Sequence, residues 1–216
     1  MFGCCDILGA LQKLSEKYNC LMLEDASQAH GALSIEGKIA GSVGNISAFS
    51  LYPGKNLGAA GDAGIITTND EKLAERCRML RNYGSKEKYI HEEIGFNHRL
   101  DSLQAIILYW KLGKLGLWNY NRSLFATMIK SRLKNENVKW MLTDNAHQVY
   151  HILPVLLENF EKRLAFMDYL NDNNIQCGIH YPIPIHKMSF YNKCDRDLQR
   201  TEDYAGRMVS PLPTRS

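Results

Sequence analysis

The 216 residues are enough for one substantial core, or for one domain and part of a second. Hydrophobic residues at 45% and charged residues at 23% give an ordinary globular balance. The 26 basic against 23 acidic side chains leave a formal charge of +3, too small and too dispersed to argue for a nucleic-acid partner. No apolar run approaches the ~20 residues that a membrane span requires. The opening residues Met1 to Asp6 lack the basic region and long apolar stretch of a signal peptide. Cys4, Cys5, Cys20, Cys77, Cys177 and Cys194 form neither a zinc-type pair nor a dense disulfide framework. These features together predict a cytoplasmic chain with free thiols and no bound metal.

In chain order, Ile7, Leu8, Leu11 and Leu14 make an apolar stripe at helical spacing between about Asp6 and Tyr18. Cys20 to Leu23 is a short apolar run ending in Glu24 and Asp25, the pattern of a buried parallel strand with an acidic carboxyl end. Ile46–Ser50 and Gly64–Thr68 are two further strand candidates. Asn69 or Asp70 is placed to cap the next helix, with Leu73, Cys77 and Leu80 along one side. Strands alternating with helices predict an α/β fold with a mainly parallel sheet.

Tyr83 to Arg99 is polar and aperiodic and reads as a long, functional loop. A long helical stretch from Asp101 to about Lys134 is expected to bend near Gly113 and Gly116. Beyond it the spacing predicts a strand over Val149 to Leu156, a helix over Glu161 to Leu170 and a strand over Cys177 to Ile179. A domain boundary is expected inside the long helix near Asn119, dividing the chain into 1–118 and 119–216.

Open α/β sheets bind ligands beyond the carboxyl ends of their strands. Asp25 ends the first strand, and the second runs into Ser50-Leu51-Tyr52-Pro53-Gly54-Lys55-Asn56. A lysine just after a buried strand can be desolvated, which lowers its pKa and frees the amine for Schiff-base chemistry. A pyridine-ring cofactor would want a carboxylate such as Asp25 at its ring nitrogen, and its phosphate would want donors such as Ser50. Spacing alone leaves other readings open: a strand-end Asp also caps helices, and a lysine after Pro-Gly also serves as a solvated turn residue.

The pattern extends further. Glu24-Asp25-Ala26-Ser27-Gln28-Ala29-His30-Gly31-Ala32, Gly41-Ser42-Val43-Gly44 and Phe49 through Leu57 resemble the DegT/DnrJ/EryC1/StrS family. The likeness continues through Gly61-Asp62-Ala63-Gly64, Arg81-Asn82-Tyr83-Gly84-Ser85, Ile94 to Leu100, and His180-Tyr181-Pro182-Ile183-Pro184-Ile185-His186. These are pyridoxal 5'-phosphate (PLP) enzymes that make aminosugars on nucleotide carriers. The resemblance implies fold type I, with a partial large domain of mainly parallel sheet followed by a smaller α+β C-terminal domain. It implies PLP as cofactor, a nucleotide-linked keto sugar as acceptor and glutamate as amino donor.

Residue by residue, the resemblance gives Lys55 the cofactor Schiff base and the proton shuttle, and Asp25 the pyridine nitrogen. Gln28 matches the position against the ring or its phenolic oxygen, and Ser50 a phosphate ligand. Asn97 matches a residue that reaches the phosphate of a neighbouring subunit's cofactor, which implies a homodimer with shared sites. His180 and Tyr181 resemble the segment that meets the sugar nucleotide, in a form that hints at 3-keto sugars. Gln28 could instead satisfy a nearby backbone group, Ser50 cap the following turn and Asn97 stabilise a turn. His30, His91 and His98 read as structural or surface residues, and Trp110, Trp118 and Tyr120 as packing at the domain junction.

The family carries a long part ahead of the position of Met1 and continues past the segment Ser210-Pro211-Leu212-Pro213. The resemblance therefore implies a fragment, expected to hold PLP weakly or not at all in isolation. Competing readings are a non-catalytic or regulatory remnant of the family, and a PLP-dependent sugar dehydratase. Dehydratases of the family replace the lysine with histidine, so Lys55 stands against the second. A nucleotide-binding α/β protein unrelated to PLP would want a glycine-rich phosphate fingerprint, which the chain lacks.

Overall fold

A computed structural model describes residues 1–142, 147–191 and 197–211; Cys194, Leu212 and Pro213 lie outside these ranges. The chain forms two compact units, Met1–Phe125 with Asp144–His151, and Ala126–Thr143 with Ile152–Ser216. The sequence pattern placed a boundary near Asn119; the change of unit falls between Phe125 and Ala126, and Asp144–His151 rejoins the first unit.

In the first unit, α1 (Leu8–Lys17) leads to β1 (Leu23–Asp25), β2 (Ile46–Ser50) and β3 (Gly64–Thr67), which form one sheet in that order. β1 pairs with β2 in parallel, Leu23 opposite Ile46 and Asp25 opposite Ala48. β2 pairs with β3 antiparallel, so within this sheet only one of the two pairings is parallel. The reason lies in the connection. Leu51 N–H donates to the Ala63 carbonyl at 2.8 Å, so the chain returns directly after β2 instead of crossing over through a helix.

The expected buried strand at Cys20 to Leu23 is shifted and half open. Leu21 is 87% exposed and Leu23 71% exposed, while Glu24 is buried. β1 is an edge strand here, and the alternation of side chains turns Glu24 inward and Leu23 and Asp25 outward. Of the apolar stripe on α1, Leu8 packs into a core with Ala26, Ala29, Ala32, Ala40 and Val149.

Asp70 caps α2 (Glu71–Leu80), its carboxylate accepting from the N–H groups of Lys72 and Leu73 at 2.8 and 3.1 Å. The segment expected to be a loop carries a small antiparallel hairpin, β4 (Ser85–Glu87) with β5 (Ile90–His91). Its residues are mostly exposed, so no apolar alternation marks it. Tyr83, Gly84 and Tyr89 take positive φ (59°, 71° and 71°) where the chain turns into and around it. The expected long helix breaks at Gly113 into α3 (Ser102–Leu112) and α4 (Leu115–Arg132), and Asp101 caps the first of these.

In the second unit, β6 (Lys139–Trp140), β7 (Val155–Leu156), β8 (Cys177–Gly178) and β9 (Met208–Pro211) form an antiparallel sheet in the order β6-β7-β9-β8. The strand expected over Val149 to Leu156 shrinks to its last two residues. Tyr150 has φ of 41° and Pro154 has no N–H to give a ladder, so pairing starts only after both. α5 (Phe160–Asp172), capped by Asn159, packs against β8, β9 and α6 (Gln199–Arg207). Val155, Leu157 and Val209 make the core beneath it, flanked by Trp140, Phe166 and Met167. Among the described residues no helix is long and apolar enough to cross a membrane.

Candidate active site

The carboxyl ends of β1 and β2 lie side by side, and they carry Asp25 and Ser50. Ala26 N–H donates to the Ala48 carbonyl at 2.9 Å, which holds the two ends in register. Glu24, one residue before Asp25, faces inward. Its carboxylate accepts from three backbone N–H groups, Gly41 at 2.7 Å, Val43 at 2.8 Å and Gly44 at 2.5 Å. This fixes the loop that precedes β2.

The turn after β2 is built tightly. Leu51 is fully buried with Leu57, Ala59 and Leu108, and Lys55 N–H donates to the Tyr52 carbonyl at 2.9 Å. A side chain at Gly58 would stand 2.6 Å from the Pro53 carbonyl oxygen and 2.8 Å from that of Tyr52, so only glycine allows this approach. α3 anchors the far side: Lys111 Nζ donates to the Gly58 carbonyl at 2.6 Å, and Ala60 N–H donates to Gln104 Oε1 at 2.7 Å. Lys55 thus leaves a turn that is held by packing and hydrogen bonds from both directions.

The electrostatics of the group are consistent with its use. Burial pushes the half-buried Lys55 amine below the usual lysine pKa, and the Asp25 charge pulls part of that shift back. The Ser27 hydroxyl and the Ser27 backbone N–H, the latter at 3.0 Å, hold the Asp25 carboxyl below the usual carboxylate range. His30 is buried against the Phe49 ring, centroids 5.3 Å apart. Neither of its ring nitrogens meets a partner in good hydrogen-bond geometry, although the Ser50 backbone lies near enough to favour the protonated ring. Burial outweighs that, with the Lys55 charge adding to it, so the imidazole pKa is pushed down.

The structure puts Asp25 and Ser50 at neighbouring strand ends and Lys55 within electrostatic reach of Asp25 and of the buried His30, while Ser50 Oγ accepts from the Tyr52 N–H at 3.4 Å. Gln28 is half-buried, and its Oε1 accepts from the Phe2 N–H at 2.6 Å. Asn97 sits at the base of the hairpin, bridged to Asn82, and accepts from Arg99 Nε at 3.1 Å. No contact among the described residues joins it to the strand-end group. His180 and Tyr181 belong to the second unit, just after β8; burial lowers the His180 pKa, and Tyr181 is exposed. Sequence reasoning also missed Glu24 as an anchor and Asn56, Gln104 and Lys111 as supports of the turn. Asn56 had one visible signal: it is a polar residue leading into the apolar run Leu57 to Ala60.

A pyridine-ring cofactor with a phosphate fits these residues. An anionic Asp25, a half-desolvated amine at Lys55 and a hydroxyl at Ser50 are the donor and acceptor set it needs, at the carboxyl ends of β1 and β2 and in the turn that follows β2. Such a layout is that of PLP-dependent aminotransferases of fold type I, and the comparisons agree. The DegT/DnrJ/EryC1/StrS aminotransferase family matches residues 1–216, and the chain belongs to that family.

The chain is 45% identical over 210 residues to the dTDP-3-amino-3,6-dideoxy-alpha-D-galactopyranose transaminase of Aneurinibacillus thermoaerophilus, covering 97% of this chain and 56% of that protein. It is 39% identical over 211 residues to the dTDP-3-amino-3,4,6-trideoxy-alpha-D-glucose transaminase of Streptomyces venezuelae, covering 95% and 54% respectively. The crystal structure of S. venezuelae DesV in complex with a ketimine intermediate superposes with a TM-score of 0.90 at 36% identity, covering 98% of this chain and 57% of that one. The chain therefore spans about half the length of the curated relatives it matches. Aminotransferases of this family use PLP.

Proposed function

We propose that this chain supplies the cofactor-holding lysine and its surroundings in a PLP-dependent aminotransferase that converts a nucleotide-linked keto sugar to an amino sugar. The observation that supports the reading is the electrostatic pairing of Asp25, at the end of β1, with Lys55 in the turn after β2, where burial favours the neutral amine. When bound, PLP supplies an electron sink for the carbon that bears the amino group. Asp25 stays anionic and favours a proton on the ring nitrogen. Lys55, whose neutral form burial favours, would provide the amine and move a proton to and from the substrate carbon. Ser50 would offer its hydroxyl to the phosphate, and Gln28 would lie toward the ring.

The finer parts of the proposal rest on the names of relatives and on the family resemblance. Both curated relatives above are transaminases whose names carry a dTDP group and a 3-amino sugar, which favours a 3-keto acceptor. Glutamate is the proposed donor, His180 and Tyr181 the proposed sugar-nucleotide contacts, and Asn97 the proposed contribution to a partner subunit's phosphate in a cytoplasmic homodimer.

The test is a visible spectrum of the purified full-length protein with added PLP, before and after glutamate, with Lys55→Ala as control. The expected result is a protein-held band that shifts on adding glutamate, and PLP fixed to the Lys55 peptide after borohydride reduction, with no fixed PLP in the variant. PLP fixed to a different lysine sinks the assignment of Lys55, and a wild-type band indifferent to glutamate sinks the proposed donor.

A further inference from the structure

The residue after Lys55 is a buried asparagine with almost every hydrogen-bonding capacity in use. Asn56 Nδ2 donates to Asn119 Oδ1 at 2.9 Å and to the Val149 carbonyl at 2.8 Å, and its Oδ1 faces His151 Nδ1 at 3.1 Å. Asn119 Nδ2 in turn donates to the His30 carbonyl at 2.8 Å. One amide thus ties the turn after β2 to α4, to the segment 149–151 and to the loop after β1 that carries Gln28 and His30. All of these lie within the first unit.

The Asn56 and Asn119 amides carry no charge, so what they contribute to this network is position fixed by hydrogen-bond geometry. Asp25 acts on the Lys55 charge, and the Lys55 charge in turn acts on His30. Asn56 acts on the place of Lys55. Fixing one residue fixes the peptide it shares with the next, so the root of the Lys55 side chain inherits the rigidity of the Asn56 amide. Reactive groups must be held within roughly half an ångström of their working geometry, and a misplacement of about 1 Å can cost on the order of 100-fold in rate.

We propose that Asn56 is the positioning residue of this site: its amide, braced by Asn119, Val149 and His151, holds Lys55 at the carboxyl ends of β1 and β2. This rests on the reading of Lys55 given above. The test uses the full-length protein with Asn56→Ala, which removes all three contacts, and Asn119→Ala, which removes one. The first readout needs no cofactor: the pH midpoint at which Lys55 reacts with a small acylating reagent, followed on its own peptide by mass spectrometry. A Lys55 that escapes its half-buried place should label with a midpoint moved upward, toward that of an ordinary lysine.

The second readout splits kcat from KM. The expected result for Asn56→Ala is a kcat lower by roughly 10- to 100-fold with KM changed far less, and an intermediate effect for Asn119→Ala. Should Asn56→Ala fail to fold, Asn119→Ala decides on the same readouts. Folded variants with a wild-type labelling midpoint and wild-type kcat, changed only in melting temperature, overturn the inference and leave Asn56 a structural residue. Borohydride-fixed PLP on a lysine other than Lys55 overturns it by a separate route, through Lys55 itself.

Discussion

Glu24 offers the sharpest test of how this site is supported. Its buried carboxylate takes three backbone N–H groups from Gly41, Val43 and Gly44 at 2.5 to 2.8 Å. Hydrogen bonds to a charged group contribute about 1.5–3 kcal/mol each, but their losses do not add once the loop relaxes. Glu24→Ala leaves these N–H groups without their acceptor, so it should cost about 3 kcal/mol or more. Glu24→Gln is more informative. One oxygen can still accept from Val43 and Gly44, but the new amide NH₂ then faces the Gly41 N–H, donor against donor. The expected cost is about 1.5–3 kcal/mol, one buried charge-assisted bond lost. Urea unfolding of the full-length protein measures it. With a slope of about 2 kcal/mol/M the midpoint should fall by roughly 1 M at unchanged slope. A Glu24→Gln protein unfolding within about 0.2 M of the parent would refute the reasoning, because the three bonds could then not be what holds the loop.

Two further outcomes follow from the same geometry. The Asp25 anion raises the Lys55 pKa against the effect of burial, so Asp25→Asn should lower the labelling midpoint of Lys55 further; a rise would show the sign to be wrong. Asn159 Oδ1 accepts from the Lys162 N–H at 2.8 Å at the start of α5, so Asn159→Ala should cost about 1 kcal/mol, a drop of roughly 2–4 °C in the melting temperature.

Most of the element list was legible because local chemistry decided it. Asp70 and Asp101 cap the helices that follow them, and Gly113 ends α3, each for reasons that lie within one turn of chain. The hairpin at Ser85 to His91 was hidden because its side chains are exposed and show no alternation. β6 and β9 were not anticipated, and their pairing of Val155 with both Trp140 and Val209 joins residues far apart in sequence. Of the proposed site, the strand-end positions of Asp25 and Ser50 and the turn that carries Lys55 could be read from the sequence. The supports could not, because Asn119, Gln104 and Lys111 become neighbours of the Lys55 turn only after α3 and α4 have docked.

The two acids at the end of β1 have a bearing on how this sheet must assemble. Glu24 and Asp25 are consecutive and chemically alike, yet one is spent on three loop amides and the other stands at the site. A strand displaced by a single residue against β2 would reverse every face, sending Asp25 among the amides on a stem one methylene too short and turning Glu24 outward. Such a molecule would lose its loop anchor and its site carboxylate in the same step. The inward acid therefore checks the register of the outward one: a correctly seated Glu24 turns Asp25 outward, where its proposed role needs it.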